Sequence, residues 1–192
     1  VYVGEYASWG NTLFNALCEA SYMTALERNG DVVRMASYAP LLANQSHTSW
    51  NPDLIYFNNT AVAPTANYYV QQMFSANSGD AYYFNVVSFP GKTETDSLLA
   101  ASCVKDSKTG DVIVKIVNAG ANNTVAKIDL SRFGKLQSNA TSIVLKGNKD
   151  GKNTFTEPNN IIPSTSDILV RKNFAYNAPA YPLTVIRCHS KK

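Results

Sequence analysis

Glu5 is the one carboxylate in the first part of the chain whose type and position together suit catalysis. It stands at the end of Val1-Tyr2-Val3-Gly4, a run that reads as a buried strand. Barrel and doubly wound enzymes put their catalytic groups at the C-terminal ends of parallel strands. Tyr6 and Trp9 flank it, two rings able to line a pocket for a sugar. The same position also suits an ordinary surface glutamate or a helix cap, and the pattern alone leaves both readings open. Other reactive side chains are sparse. Cys18, Cys103 and Cys188 are too few and too dispersed for a disulfide framework or a zinc site, and they read as free or buried thiols. His47 and His189 cannot build a metal centre by themselves, so no metal is expected.

Two hydrophobic periods divide the elements that must position these groups. Over residues 1–78, short apolar strands alternate with helical patterns. Val1–Tyr6 is the first strand. From Asn11 to Arg28, Leu13, Ala16, Leu17, Ala20, Met23 and Leu26 recur at helical spacing, and Asn29-Gly30 supplies the stop. Val32–Tyr38 is a second strand, a polar loop covers Asn44–Asn51, and Pro64 opens a second helix bearing Tyr69, Val70, Met73 and Phe74. This is the grammar of βα units and of a parallel sheet. Two units cannot bury both faces of such a sheet. Together with a start inside a strand and without Met, this points to further sequence upstream.

After Gly79 the period becomes 2. Tyr82–Phe89, Val112–Val117, Val125–Leu130, Ser142–Leu145 and Leu183–Cys188 are short strand candidates. Val112, Val114 and Ile116 share one face while Lys115 points the other way. Alternating strands separated by turns such as Lys108-Thr109-Gly110-Asp111 predict an antiparallel sandwich or jelly roll over residues 79–192. The fold class is therefore α+β.

Composition excludes several classes. A hydrophobic fraction of 45% supports a packed core rather than disorder. The net charge of +3 is mild and its cations are scattered, which argues against a nucleic-acid partner. No apolar run approaches the ~20 residues of a membrane span. Sequons at Asn44, Asn58, Asn122 and Asn139, with many Asn, Ser, Thr and Tyr residues, point to an extracellular protein.

Longer motifs add a resemblance. Val3-Gly4-Glu5-Tyr6-Ala7 resembles the nucleophile segment of the α-L-arabinofuranosidases of glycoside hydrolase family 51. Glu19-Ala20-Ser21-Tyr22-Met23, Leu26–Val33, Met35–Asn44 and Trp50–Phe57 are similar to the same family. The likeness is dense over 1–78 and sparser beyond, where Asn118-Ala119-Gly120 and Ala178–Ile186 resemble its C-terminal sandwich. The resemblance implies a fold: residues 1–78 would be the last two βα units of a (β/α)8 catalytic barrel, and 79–192 the sandwich packed on it.

It also implies chemistry. The reaction would be retaining hydrolysis of terminal α-L-arabinofuranosyl units of plant polysaccharides and oligosaccharides, without metal or organic cofactor. Glu5 would be the nucleophile, held ionised by hydrogen bonds from its neighbours. A second carboxylate would stand ~5 Å away as acid/base. The family's Asn-Glu pair that supplies it is absent from this sequence, so the isolated chain is expected to be inactive and to need the rest of its barrel as partner. Glu19 and Glu27 do not replace it. Glu19 reads as solvated, or paired with Arg28 or a lysine.

Three further substrate-binding candidates follow. Tyr6 is adjacent to Glu5, although strand alternation turns it away. Asn44 and Trp50 lie in the loop after the second strand, an amide for sugar hydroxyls and an indole for a sugar's apolar face. A glycosylated Asn44 would exclude it from that role. His47, in the same loop, reads as incidental, Tyr38 as core or pocket wall, and Tyr68, Tyr69 and Phe74 as core. Two alternatives stay open: a non-catalytic carbohydrate-binding or structural sandwich exposing Tyr82, Tyr83 and Tyr176, or a related glycosidase acting on xylosides or glucosides.

Overall fold

Helix caps, turns and strand pairings set the boundaries of the first part. The computed structural model describes residues 1–92 and 97–191. β1 (Tyr2–Tyr6) leads through α1 (Leu13–Arg28) to β2 (Met35–Tyr38), which pairs parallel with β1. β3 (Leu42–Asn44), β4 (Ile55–Phe57) and β5 (Val62–Pro64) form a small mixed sheet that the polar-loop reading did not anticipate, and α2 (Ala66–Ala76) follows. Thr12 caps α1 reciprocally with Asn15, and Asn29 ends it. Val32 and Val33 donate their N–H groups to Asn29 O, which closes a turn and delays the second strand to Met35. Pro64 does not open the second helix; it ends β5. Thr65 is the cap, its hydroxyl accepting from Tyr68 N–H and donating to Leu54 O.

The second part is wholly antiparallel. Its strands are β6 (Ala81–Tyr82), β7 (Val87–Ser88), β8 (Leu99–Lys105), β9 (Val112–Asn118), β10 (Thr124–Asp129), β11 (Leu136–Lys146), β12 (Ser164–Leu169), β13 (Asn173–Ala178) and β14 (Pro182–Ser190). One sheet runs β12-β11-β14-β9-β8-β6 and the other β13-β10-β7. Tyr82–Phe89 is not one strand: its two ends join different sheets, and Asn85 turns between them with φ 59°. β8, β12 and β13 escaped the sequence reading because Ser, Thr, Ala and Asn blur their alternation.

β9 is buried along its whole length. Val112, Val114 and Ile116 join the core that includes Ala126, Ile128 and Ile186. Ile113 and Val117 join a second core with Leu13, Ala16 and Leu17 of α1 and Val70, Met73 and Phe74 of α2. The six-stranded sheet is thus covered by the β13-β10-β7 sheet on one side and by α1 and α2 on the other. Each fully buried Leu, Ile or Val contributes roughly 1.5–3 kcal/mol. Lys115 lies on the helix side and is fully buried, which alternation alone did not show. Its Nζ stands 2.6 Å from Glu27 Oε1 and 5.1 Å from the Phe74 ring centre. Burial lowers the Lys115 pKa, against the opposing pull of Glu27.

Candidate active site

A bulge shapes the end of β1. Val3 pairs with Ala36 and Glu5 with Ser37, so Gly4 is the extra residue. Inserted residues re-aim the side chains beside them and gather next to active sites. Glu5 is exposed and borders a cavity of about 450 Å³. Ser8, Trp9, Pro40, Trp50 and Asn51 share its wall. Trp9 is 86% and Trp50 64% exposed, leaving indole surface available to a ligand. A concavity of about 1010 Å³ lies elsewhere, between the C-terminal end of α1, β2 and β6. Chemistry favours the smaller one, where a carboxylate at a parallel strand's C-terminal end meets two indoles.

The predicted site residues divide. Glu5, Tyr6 and Trp50 border one cavity, and Asn44 does not. Asn44 ends β3, and its side-chain oxygen accepts Ser46 N–H at 3.1 Å, closing the following turn. Asn51 brings an amide residue to the wall instead. Tyr6 donates its hydroxyl to Gln71 Oε1 at 2.7 Å, so the phenol serves α2 rather than Glu5, as alternation anticipated. His47 is exposed and its N–H donates to Asn44 O. Among the described residues, no hydrogen bond or ion pair reaches the Glu5 side chain, so the expected charge-holding neighbours do not come from them.

Glu19 is the main correction. Neither solvated nor paired with a cation, it is only 3% exposed. Its Oε1 accepts from Ser8 N–H at 2.9 Å and Asn67 Nδ2 at 2.7 Å, and its Oε2 from Gln71 Nε2 at 3.4 Å. Burial pushes its carboxyl up to about 7, opposed by these hydrogen bonds. Tyr38 is buried against it, and its hydroxyl makes no hydrogen bond of good geometry. Burial raises the Tyr6 phenol to about 12. The sequence signal for this network was a glutamate inside α1's apolar run and two amides one helical turn apart on α2.

Among the described residues no group of His, Cys, Asp and Glu is placed to hold a metal, all three cysteines are free, and no helix is long and apolar enough to cross a membrane.

The model of the alpha-L-arabinofuranosidase C-terminal domain family matches residues 4–181. The chain belongs to this family. An extracellular exo-alpha-L-arabinofuranosidase of Streptomyces chartreusis is 59% identical over 80 residues, which are 42% of this chain and 10% of the relative. A probable alpha-L-arabinofuranosidase A of Aspergillus flavus is 35% identical over 198 residues, covering 98% of this chain and 29% of its own length. Among solved structures, an arabinose-bound GH51 α-L-arabinofuranosidase superposes with a TM-score of 0.86 at 36% identity, over 96% of this chain and 28% of the other. The chain of the arabinofuranosidase family described here therefore spans less than a third of each of these relatives.

Proposed function

We propose that this chain is the part of a retaining α-L-arabinofuranosidase that bears the nucleophile, Glu5. The observation that supports this most is Glu5 at the C-terminal end of a parallel strand, opening on a cavity bordered by Trp9 and Trp50. In this reading β1-α1 and β2-α2, within residues 1–78, are two units of a (β/α)8 barrel, and 79–192 is its jelly-roll-like sandwich. Glu5 attacks the anomeric carbon of a terminal α-L-arabinofuranosyl unit. A second carboxylate, from another part of the protein and ~5 Å away, protonates the leaving oxygen. The same group then activates water to release arabinose from the glycosyl-enzyme. Trp50 and Tyr6 border the sugar site, while Asn44 stands outside the cavity. Arabinose-containing plant polysaccharides, met outside the cell, are the proposed substrates, and the isolated chain is inactive.

The reading as a carbohydrate-binding module relied on exposed tyrosines of the sandwich. Tyr82, Tyr83 and Tyr176 are half-buried and pack against the cores, with Tyr176 bonded to Thr184, so that support weakens.

The test is hydrolysis of an aryl α-L-arabinofuranoside by this chain, by the chain with the rest of its protein, and by the longer form with Glu5→Ala. Activity only in the longer form, lost with Glu5→Ala, is expected. Undiminished activity in Glu5→Ala removes Glu5 from the mechanism. Silence in all three moves the function to a different sugar or to binding alone.

A further inference from the structure

Two residues beyond Glu5 begins the loop of residues 7–11, which is fastened through Ser8, Gly10 and Asn11. Ser8 N–H donates to Glu19 Oε1 at 2.9 Å, and Ser8 Oγ accepts from Asn15 Nδ2 at 2.9 Å. Asn67 Nδ2, which also holds Glu19, reaches Gly10 O at 3.4 Å. Asn11 Nδ2 donates to Asp53 O and to Asn67 Oδ1. Gly10 has φ +154°, and a Cβ there would stand 2.6 Å from Asn15 Oδ1, so the loop presses against the cap of α1. Glu19 joins this loop to α2, and through Gln71 to Tyr6, the residue that follows Glu5.

The choice of a carboxylate is informative. Ser8 N–H, Asn67 Nδ2 and Gln71 Nε2 are all donors aimed at Glu19. An ionised carboxylate has acceptor sites on both oxygens and no donor, whereas an amide has one accepting and one donating end. Among the described residues, no Lys, Arg or His forms an ion pair with it. A buried acid without a counter-charge is costly to a fold, and here its three donors join the nucleophile's loop to the neighbouring helix. We infer that Glu19 is a positioning residue, fixing the loop behind Glu5 and the sequence neighbour Tyr6 so that the Glu5 carboxylate is presented in one direction. This rests on the reading of Glu5 as nucleophile.

The experiment uses the full-length enzyme and the aryl α-L-arabinofuranoside, comparing Glu5→Ala, Glu19→Gln and the exchange variant Glu19→Gln/Gln71→Glu. In Glu19→Gln one end of the side chain becomes a donor facing a donor. The exchange variant restores the match: the residue 19 amide donates to a carboxylate at 71, which still accepts from Tyr6. A displacement near 1 Å costs up to about 10²-fold in rate, so kcat in Glu19→Gln is expected to fall roughly 10- to 100-fold. KM should change by less than about 3-fold, because uniform binding is untouched. The exchange variant should recover most of the lost kcat. A merely structural role would lower the melting temperature while leaving kcat of the folded fraction unchanged, and that result overturns the inference. Full activity in Glu5→Ala overturns the nucleophile reading instead. An inactive Glu5→Ala beside an unaltered Glu19→Gln rejects only the positioning role. Should Glu19→Gln fail to fold, the exchange variant decides: near-native kcat supports the role, and failure of both to fold assigns Glu19 to the fold and overturns it.

Discussion

β1 and β9 are both central to their parts of the molecule, yet they live in opposite surroundings. In β1 and its partner β2, Tyr2 and Met35 are 58% and 64% exposed. In β9 every residue is buried, Lys115 included. In this chain a sheet of two parallel strands leaves Tyr2 and Met35 uncovered, faces that the other barrel units of the proposed reading would meet, whereas a six-stranded sheet between helices and a second sheet has two covered faces. The open region presents the carboxylate and indoles that can meet a substrate. The closed region supplies the burial that holds α1 and α2, and hence the strand end, in place. Glu19 lies at the junction: it belongs to a helix whose apolar side packs on the closed sheet, and it grips the loop of the open site.

The largest expected effect breaks the open region alone. On the proposed nucleophile role, Glu5→Ala in the full-length enzyme should lower kcat by several orders of magnitude, since the substitution removes the carboxylate that would form the glycosyl-enzyme bond. Circular dichroism and the melting temperature of this 192-residue chain should stay unchanged, because the side chain is exposed. The reverse test falls on the closed region. Lys115→Met leaves Glu27 half-covered without its partner, and losing one member of a buried pair costs about 3–5 kcal/mol. Urea unfolding should show this loss, and Lys115→Met/Glu27→Leu should recover part of it.

A third test addresses the junction by pH. The folded pKa of Glu19, about 7, is raised above its ordinary value of 4.5. Between those values the folded chain keeps a proton that the unfolded chain has released. The contribution is therefore fully present below pH 4.5 and is lost as the pH rises through 7. Its span is on the order of 3 kcal/mol. Urea unfolding at pH 5 and pH 8 should show a fall in stability that is much smaller in Glu19→Gln; an equal fall in both would detach Glu19 from the pH dependence. The smallest effect concerns the second helix. Thr65→Ala removes the cap of α2 and the bond to Leu54 O, and caps of this kind are worth about 1 kcal/mol. The melting temperature should drop by a few degrees.

Legibility followed local pattern strength. α1 was readable because its apolar spacing and the Asn29-Gly30 stop agree, and β10 because Ala126, Ile128 and Leu130 alternate cleanly with polar residues. β12, Ser-Thr-Ser-Asp-Ile-Leu, was invisible because its strand state comes from pairing with β11 and not from its own side chains. Tyr82–Phe89 looked like one strand because it is an almost continuous run of aromatic and β-branched residues, and the turn at Asn85 breaks it. At the site, Glu5, Tyr6 and Trp50 were named from type and position. Asn44 lies outside the cavity that borders Glu5, because proximity within a loop does not fix which residue reaches a cavity.

By itself the sequence determined the change from βα units to antiparallel strands, the C-terminal end of α1, and a carboxylate at the end of a strand. Those depend on neighbours a few residues apart. Tertiary structure alone decided that Lys115 faces helices instead of water, that Glu27 is its partner, and that Glu19 is sealed among Ser8, Asn67 and Gln71. Alternation says which side of a strand or helix a residue takes, and only packing says what covers that side. For an ionisable group that covering sets the cost of its charge, and so its role.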